Sequence, residues 1–291
     1  MKFITFNYCG QELAGFLSFD MQSAHTFSDA SLNYDSLLEF IEKYSEQDLK
    51  VVKKLAENQG IPLSEITLKA PIPQPKSDII CVGLNYRDHL EESNRMHAGI
   101  KASSANAATY FSKRARVVTG PDEAVDSHSD VTGELDYEAE LGVIIGKESR
   151  GVSEGNVWDH VFGLTCFNDY SARDLQNKHN QWYFGKSLDT FAAFGPWIVS
   201  IDEFDLPLKL SVESRVNGET RQKSNTELLI FSVEHIICEL SRGISLMPGD
   251  IIATGTPAGV GAGFNPQRFL KPGDICEIEI EGCGVLRNVI R

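Results

Sequence analysis

The chain lacks the signals of several protein classes. It contains no apolar run near the ~20 residues that a membrane-spanning helix needs. Its N-terminus lacks the apolar core and the cleavage site of a signal peptide. Positive charge is also scarce, because 27 Lys and Arg residues face 41 Asp and Glu residues, a formal net charge of −14. Nucleic acid and anionic membrane surfaces bind cationic faces, so we expect neither as a partner.

The six cysteines lack the close spacing of metal or redox motifs. They are spread along the chain without a Cys-x-x-Cys pair, and most lie in apolar surroundings, as Cys81 does between Ile80 and Val82. Such cysteines usually behave as small apolar core residues in a reducing compartment. We therefore expect free cysteines in a cytoplasmic protein, and neither a zinc site nor a cysteine nucleophile.

The first part of the chain is predicted to be a small α/β N-terminal domain, residues 1–70. A proline-rich segment from Ala70 to Pro75 follows it, cannot form a helix and is typical of an extended connector. Ser45, with Asp48 three residues later, is typical of a helix start. The predicted elements are strands at 2–8 and 12–18 and helices at 35–44 and 46–58.

Residues 71–291 are predicted to form a second, mainly β domain. Short runs rich in Val, Ile and Phe alternate there with Gly, Pro and Asp, which indicates many short strands. The fold class is therefore α+β, mainly β. Trp158, Trp182 and Trp197 are predicted to lie in the core rather than to contact a substrate. The few predicted helices lie at 86–93, 153–160 and 232–241.

Two glutamates stand two positions apart in an apolar run. Glu138 and Glu140 lie between Tyr137 and Ile145 in a stretch that reads as a strand, where residues i and i+2 point to the same face. Like charges side by side repel unless something positive lies between them. Asp169 follows a second apolar run and supplies a third carboxylate. Three oxygen donors without Cys or His suit a hard divalent cation such as Mg²⁺ or Mn²⁺.

A histidine and a glutamate are spaced for contact on a predicted helix. His89 and Glu92 are three positions apart and can meet on one helical face. A carboxylate beside an imidazole orients the ring and raises its basicity, as a general base for water requires. The alternative is a solvated helix face with an incidental histidine, and spacing alone does not separate the two.

Two further polar segments follow the third carboxylate. Lys186 lies in a polar cluster between aromatic residues, where it can hold a carboxylate or an enolate oxygen, although a surface turn is the alternative. Arg173 and Gln176 come soon after Asp169 and can reach the same site. The alternative for Arg173 is a structural pair with Asp174.

A glycine-rich segment runs from Thr254 to Gly261 after a strand-like run. Glycine lets backbone amides approach an anion closely. The segment is not a P-loop, because no Gly-Lys-Ser/Thr follows, and it opens no long helix as a dinucleotide fingerprint does. A tight turn that serves only the fold is the alternative.

Together these segments resemble the fumarylacetoacetate hydrolase superfamily in its bacterial two-domain form, from about Ile79 to the C-terminus. Each motif is weak alone, and their shared order carries the resemblance. The motifs are Gly83–Glu92 (Gly-x-Asn-Tyr-x-x-His-x-x-Glu), Phe111–Lys113, Asp136–Leu141, Asn168–Gln176, Gly185–Thr190, Val216–Glu219 and Pro248–Gly261.

The resemblance implies a mixed β-sandwich roll for residues 71–291 and a homodimer. It implies Mg²⁺ or Mn²⁺ as the cofactor, and a lid that carries the histidine and glutamate over the substrate. The site residues that it implies are Glu138, Glu140 and Asp169 for the metal, His89, Glu92 and Lys186 for catalysis, and Arg173, Gln176, Lys113 and Thr256 for substrate binding or support.

The implied reaction is metal-dependent chemistry of a small anionic 2-oxo acid through an enolate. A cation that polarises the 2-oxo group stabilises negative charge at C3. We expect hydrolysis of a C–C bond in an acylpyruvate-like 2,4-dioxo acid, with His89 deprotonating water. The alternatives are an oxaloacetate-type decarboxylase, an isomerase, tautomerase or hydratase of an unsaturated oxo-diacid, and a binding protein without activity.

The chain departs from the resemblance near the far end of the substrate. Many relatives carry Arg or Lys where Leu84 stands, and residues 93–110 lack the prolines that usually precede the Phe-x-Lys motif. Arg114 or Arg116 is the candidate replacement for the missing cation. These differences affect the expected specificity more than the expected metal site.

Overall fold

The structure is a computed structural model that describes residues 1–96 and 106–291. The predicted lid is therefore described only in part, and residues 97–105 lie outside the described residues. Within the described ranges, no helix combines the length and the apolar content that a bilayer crossing requires.

The strands form where the apolar runs predict them. The predicted N-terminal hairpin is β1 and β2, with Phe3 opposite Phe16. The strands are Lys2–Tyr8 (β1), Gln11–Leu17 (β2), Ser23–Thr26 (β3), Ile61–Pro62 (β4), Thr67–Leu68 (β5), Ile79–Gly83 (β6), Thr109–Lys113 (β7), Val118–Thr119 (β8), Ala124–Val125 (β9), Leu135–Asp136 (β10), Ala139–Ile145 (β11), Val161–Asp169 (β12), Ser171–Ala172 (β13), Ala192–Ser200 (β14), Ser211–Val216 (β15), Glu219–Asn225 (β16), Ile251–Ala253 (β17), Ile275–Ile280 (β18) and Gly284–Ile290 (β19).

Three of the α-helices begin after a serine, at Ser36, Ser45 and Ser232, whose side chain accepts from a backbone amide of the first turn. Ser45 and Asp48 form the predicted capping box, in which each side chain accepts from the other residue's backbone N–H. The helix expected at 153–160 is instead a 3₁₀ helix over Glu154–His160, whose N-cap makes no side-chain hydrogen bond. The α-helices are Leu37–Lys43 (α1), Glu46–Leu55 (α2), Arg87–Met96 (α3), Arg173–Lys178 (α4), Tyr183–Lys186 (α5) and Val233–Gly243 (α6).

One large sheet runs through the molecule. Its strand order is β4-β3-β2-β1-β14-β12-β11-β17-β6-β7, with β5 beside β1 and β8 beside β14. Most neighbours are antiparallel, but β17 and β6 are parallel. The strands of residues 1–70 thus continue the sheet of the later residues, because Phe3 of β1 pairs with Ile198 of β14. The division at residue 70 stays a prediction.

A second sheet packs on the first. Its order is β16-β15-β18-β19-β9, and β15, β18 and β19 contact β11, β12 and β14. Apolar residues of both sheets and of α6 fill the space between them. A separate apolar cluster joins α1 and α2 to the opposite face of the large sheet. The fold is mixed and mostly sheet, as predicted, and its central strands β11 and β12 end beside the predicted metal ligands.

Candidate metal and substrate site

The three predicted metal ligands meet at the end of the central strand pair. Strands β11 and β12 are antiparallel, with Ala139 opposite Asn168 and Glu140 opposite Phe167. The Asp169 amide donates to the Glu138 carbonyl at 3.1 Å. This register brings all three carboxylates to one side, and one oxygen from each lies within 4.8 Å of the others. The strand begins at Ala139, two residues after the start of the predicted stretch at Tyr137, so Glu138 lies just before it.

Two buried cations bridge part of this cluster. The Lys186 ammonium donates to Glu138 Oε2 and to Asp169 Oδ2, each at 2.7 Å. Arg173 Nη1 lies 2.7 Å from Glu138 Oε1, and Arg173 Nε donates to Asp136 at 2.9 Å. Burial alone would raise the pKa of Glu138, but Lys186 and Arg173 outweigh it and hold that pKa well below its usual range. Glu138 is therefore a charged carboxylate.

Glu140 is the carboxylate without a cationic partner. It is buried, and no Lys or Arg of the described part of the chain forms an ion pair with it. Its Oε2 accepts only a backbone hydrogen bond, from Gly255 at 2.8 Å. Burial, together with the charges of Asp169 and Glu138, raises the pKa of Glu140 well above its usual range. A hard divalent cation fits this donor set, since it would supply the missing positive charge to three oxygen ligands.

Lys113 lies behind the acidic cluster. Its side chain is fully buried and does not line the cavity described below. Its ammonium lies 2.6 Å from Asp169 Oδ1 and donates to the Tyr170 carbonyl at 2.7 Å and to the Lys186 carbonyl. Burial lowers the pKa of Lys113, although Asp169 opposes this shift. Lys113 thus contacts Asp169 and the backbone of Lys186 from outside the lining of the cavity, and its predicted role in substrate binding stays a prediction.

The predicted histidine–glutamate pair forms on α3. His89 and Glu92 are both buried, and His89 Nδ1 lies 3.0 Å from Glu92 Oε2. The other carboxylate oxygen, Glu92 Oε1, accepts from the Gly259 amide at 3.0 Å. The solvated-face alternative is therefore wrong for this helix, because its histidine is turned inward and held by a carboxylate.

The glycine-rich turn uses its amides on carboxylates of the protein itself. Besides Gly255 and Gly259, the Gly261 amide donates to Asp136 Oδ1 at 2.6 Å. Gly255 has φ +99°, which favours glycine, and a Cβ there would lie 2.7 Å from the Asn85 Cβ. The sequence predicted that backbone amides of this turn can approach an anion. In the structure they bind carboxylates of the protein, among them Glu140 of the acidic cluster and Glu92 of the histidine pair.

Thr256, in the same turn, is held by Gln222. The Thr256 hydroxyl donates to the Ala139 carbonyl at 3.0 Å and accepts from Gln222 Nε2 at 2.7 Å. Gln222 Oε1 also accepts from the Ala139 amide at 3.0 Å. Thr256 lines the cavity, and Gln222 fixes it against the first residue of β11.

One cavity of about 550 Å³ joins these groups. Its inner part is lined by the buried residues Glu138, Glu140, Lys186, His89 and Thr256. Arg173 and Gln176 also line it, and Arg173 Nη1 donates to Gln176 Oε1 at 3.0 Å. The structural pair between Arg173 and Asp174 does not form, because Arg173 binds Asp136 and Glu138 instead.

Several positions around the cavity differ from the sequence predictions. Trp182 lines the cavity instead of lying in the core, and it packs edge-on against Phe111 with ring centroids 5.2 Å apart. A Cβ on Gly83 would lie 2.4 Å from the Trp182 ring, so this glycine makes room for it. Leu84 lines the cavity, whereas Arg114 and Arg116 are exposed and do not. Neither arginine replaces the cation expected near Leu84.

Sequence reasoning did not assign Glu134, Asp136, Gln222 or Gln267 to this site. Glu134 and Gln267 line the cavity. Asp136 accepts from the amides of the turn and from Arg173, and Gln222 braces Thr256. Asp136 lies in the motif Asp136–Leu141, two positions before Glu138, and this position is the signal that could have identified it as a site residue.

Comparisons with known proteins agree on one family. Residues 78–291 match the family described as fumarylacetoacetate (FAA) hydrolase C-terminal. Oxaloacetate tautomerase YisK of Bacillus subtilis is 48% identical over 228 residues, which cover 78% of this chain and 74% of that protein.

Solved structures match over the whole chain. The structure of a fumarylacetoacetate hydrolase from Exiguobacterium antarcticum has a TM-score of 0.83 at 38% identity and covers 100% of this chain and 99% of its own. A 5-carboxymethyl-2-hydroxymuconate delta-isomerase from Mycobacterium smegmatis has a TM-score of 0.78 at 27% identity, with the same coverage. These relatives are enzymes of three reaction types. On its motifs, fold and matches, the chain belongs to the fumarylacetoacetate hydrolase family.

Proposed function

We propose that the chain is a divalent-metal-dependent enzyme that interconverts the keto and enol forms of a small 2-oxo acid of the oxaloacetate type. The single observation that carries this proposal is one cavity lined both by Glu138 and Glu140 of the buried three-carboxylate cluster and by His89 of the His89–Glu92 pair. The 48% identity to a tautomerase favours this reaction over the C–C bond hydrolysis expected from the sequence.

The cation would be Mg²⁺ or Mn²⁺, held by Glu138, Glu140 and Asp169. When bound, it supplies a Lewis acid that polarises a 2-oxo group and makes the neighbouring C–H more acidic. Oxygen ligands without Cys or His suit these two metals better than zinc or copper.

His89 is the group that moves the proton. Because Glu92 accepts from Nδ1, the neutral ring carries its hydrogen there and leaves Nε2 as the basic atom. A proton taken from C3 by Nε2 can be returned to the 2-oxygen, which completes the tautomerisation without water. The buried carboxylate of Glu92 stabilises the imidazolium that forms between the two steps.

Lys186 and Arg173 are placed to hold the substrate's oxygens. An ammonium has three donors, and Lys186 uses two of them on Glu138 and Asp169. The third is available to an enolate oxygen. Arg173 Nη2 is buried and has no hydrogen-bond partner among the described residues, so it can donate to the second carboxylate of oxaloacetate.

A second candidate is hydrolysis of an acylpyruvate-like 2,4-dioxo acid. The same His89–Glu92 pair can deprotonate water instead of carbon, and the 38% identical structure is named a hydrolase. Oxaloacetate decarboxylation would release CO₂ and leave the enolate of pyruvate, which acylpyruvate cleavage also leaves, and it would not require the histidine.

A substrate panel separates these reactions. Purified protein with Mn²⁺ is given enol-oxaloacetate, acetylpyruvate and fumarylpyruvate, and ultraviolet absorbance and pyruvate release are followed. Faster loss of the enol without pyruvate release supports the tautomerase, whereas acylpyruvate cleavage supports the hydrolase and pyruvate from oxaloacetate the decarboxylase. Tautomerisation and hydrolysis must both be lost in His89→Ala. All three reactions must be lost in Glu138→Gln and in the presence of EDTA. Turnover that survives EDTA and Glu138→Gln contradicts the metal-dependent proposal.

A homodimer in the cytoplasm is part of the proposal. The family resemblance supports the dimer, and the six cysteines, all free, suit a reducing compartment. Light scattering on the purified protein measures the mass, and a monomer at working concentration would contradict the dimer.

A further inference from the structure

The cavity changes in character from its inner to its outer part. The inner residues Glu138, Glu140 and Lys186 are buried. The outer part is lined by Asn177 and Gln267, which are exposed, and by Glu134, which is half-buried. A substrate long enough to extend beyond the metal ligands therefore meets amides and one carboxyl group.

The positively charged side chains that line the cavity are paired with carboxylates of its inner part. Among the described residues that line it, the only Lys and Arg side chains are Lys186 and Arg173. Lys186 is held between two metal-ligand carboxylates, and Arg173 lies against Asp136 and Glu138. Each of them pairs with two buried carboxylates, so turning outward would break two buried ion pairs, which is costly.

Glu134 gives the outer part a negative potential. Its backbone is fixed, because its carbonyl accepts from the Arg173 amide at 3.0 Å at the start of α4. No ion pair with Glu134 forms within the described ranges of the chain. The carboxylates of Asp174 and Asp136 lie close enough to Glu134 to act on it electrostatically, while Arg173 acts in the opposite sense but is itself paired with Asp136 and Glu138.

From this arrangement we infer that Glu134 is a specificity-determining residue. It makes the cavity bind 2-oxo acids whose far end is uncharged and forms hydrogen bonds in preference to 2-oxo acids of the same length that end in a carboxylate. The inference rests on the proposed function, since it concerns the far end of the same substrate. The inference does not apply to oxaloacetate. The second carboxylate of oxaloacetate is only two bonds from the 2-oxo carbon, where Arg173 is placed to bind it.

A matched pair of ligands tests this inference by binding instead of turnover. 2-Oxoadipate and its 6-amide have the same length and differ only in a terminal carboxylate against a carboxamide. Their dissociation constants are measured by calorimetry on the Mn²⁺-loaded protein. We expect the amide to bind about tenfold more tightly, as repulsion between two carboxylates in a partly buried site requires. Glu134→Gln should reduce this ratio to about twofold by tightening 2-oxoadipate alone.

A control variant separates local repulsion from net charge. Glu148→Gln removes the same charge from an exposed position outside this cavity and should keep the tenfold ratio. Equal binding of the two ligands by the unaltered protein, or a ratio that Glu134→Gln leaves unchanged, overturns the inference and leaves the proposed function standing. If neither ligand nor oxalate binds the Mn²⁺-loaded protein, the proposed function is overturned and the inference with it.

Discussion

Glu92 reaches from the helix α3 to the glycine-rich turn, where its Oε1 accepts the Gly259 amide at 3.0 Å. The same carboxylate holds His89 through its other oxygen. The position of the histidine is therefore set by a turn that also binds Glu140 and Asp136. The base and the metal ligands share one backbone support, so a change in the turn should affect both.

The first prediction concerns Gly263, whose absent side chain makes room for Glu92. A Cβ on Gly263 would lie 2.0 Å from Glu92 Oε1. Gly263→Ala should displace the Glu92 carboxylate from His89 and lower kcat by about 100-fold, the lower range for loss of general acid–base catalysis. The Mn²⁺ dissociation constant should stay within about twofold. Gly155→Ala, where a Cβ meets nothing within 4 Å, is the matched control. Unchanged kcat in Gly263→Ala would show that Glu92 does not support the base.

The second prediction concerns the unpaired carboxylate Glu140. Loss of an outer-shell partner alone weakens metal binding by about 10- to 100-fold. Glu140→Gln removes a ligand and should therefore raise the Mn²⁺ dissociation constant by at least about 100-fold, measured by calorimetry. It should also raise the free energy of unfolding of the metal-free protein at neutral pH, because a buried carboxyl with a raised pKa must take up a proton on folding, a cost that the Gln amide avoids. Glu148→Gln serves as the control, and retention of Mn²⁺ affinity in Glu140→Gln would exclude this carboxylate as a ligand.

The third prediction concerns Lys113, which lies behind the metal ligands. Removal of one partner of a buried ion pair typically costs ~3–5 kcal/mol. Lys113→Met should lower the free energy of unfolding in urea by this amount, and it should weaken Mn²⁺ binding because Asp169 loses its support. Lys209→Met, which breaks an exposed pair with Glu227, should change little. If Lys113→Met keeps both stability and Mn²⁺ affinity but loses 2-oxo acid binding, Lys113 contacts the substrate after all.

The fourth prediction concerns Asp136, which orients Arg173. Its carboxylate accepts from Arg173 Nε at 2.9 Å and from the amides of Gly261 and Ala262. Asp136→Asn removes the negative charge that holds Arg173. It also places the NH₂ group of the new amide next to N–H groups that need an acceptor, which costs ~1–3 kcal/mol of stability. KM for oxaloacetate should rise about tenfold, with a smaller change in kcat, because substrate binding is weakened.

The control for this prediction is an exposed pair of the same type. Asp122 lies 2.9 Å from Arg287 at the surface. Asp122→Asn should leave KM and stability nearly unchanged. A fall in kcat without a change in KM for Asp136→Asn would assign Asp136 to the chemical step instead of to substrate binding.

The cluster of three carboxylates was predictable from sequence because its signal is local. Alternation in a strand places Glu138 and Glu140 on one face, and Asp169 ends the next strand of the same hairpin-like pair. Lys186 and the histidine pair carried motif signals. The roles of Lys113 and Trp182 were not predictable, because they depend on how strands β6 and β7 pack beside β17, far away in the chain.

Glu134 and Gln222 show why the rest of the site is hard to predict. Gln222 acts through Thr256, which lies 34 residues away. Glu134 lines the cavity only because its carbonyl is bound by the first residue of α4. Neither interaction leaves a pattern in the neighbouring sequence, since the register between distant segments creates it.

The pairing of β1 with β14 bears on how the chain is made. Lys2 lies opposite Val199 and Phe3 opposite Ile198, so this end of β1 pairs with a strand almost 200 residues later in the chain, whereas Phe6 and Asn7 pair with β5. Non-local pairing of this kind slows folding, and an unpaired strand edge can bind other chains in the meantime. The edge of β1 at Lys2 and Phe3 therefore stays unpaired until β14 has been made. Its protection depends on a strand that emerges long after the first metal ligand.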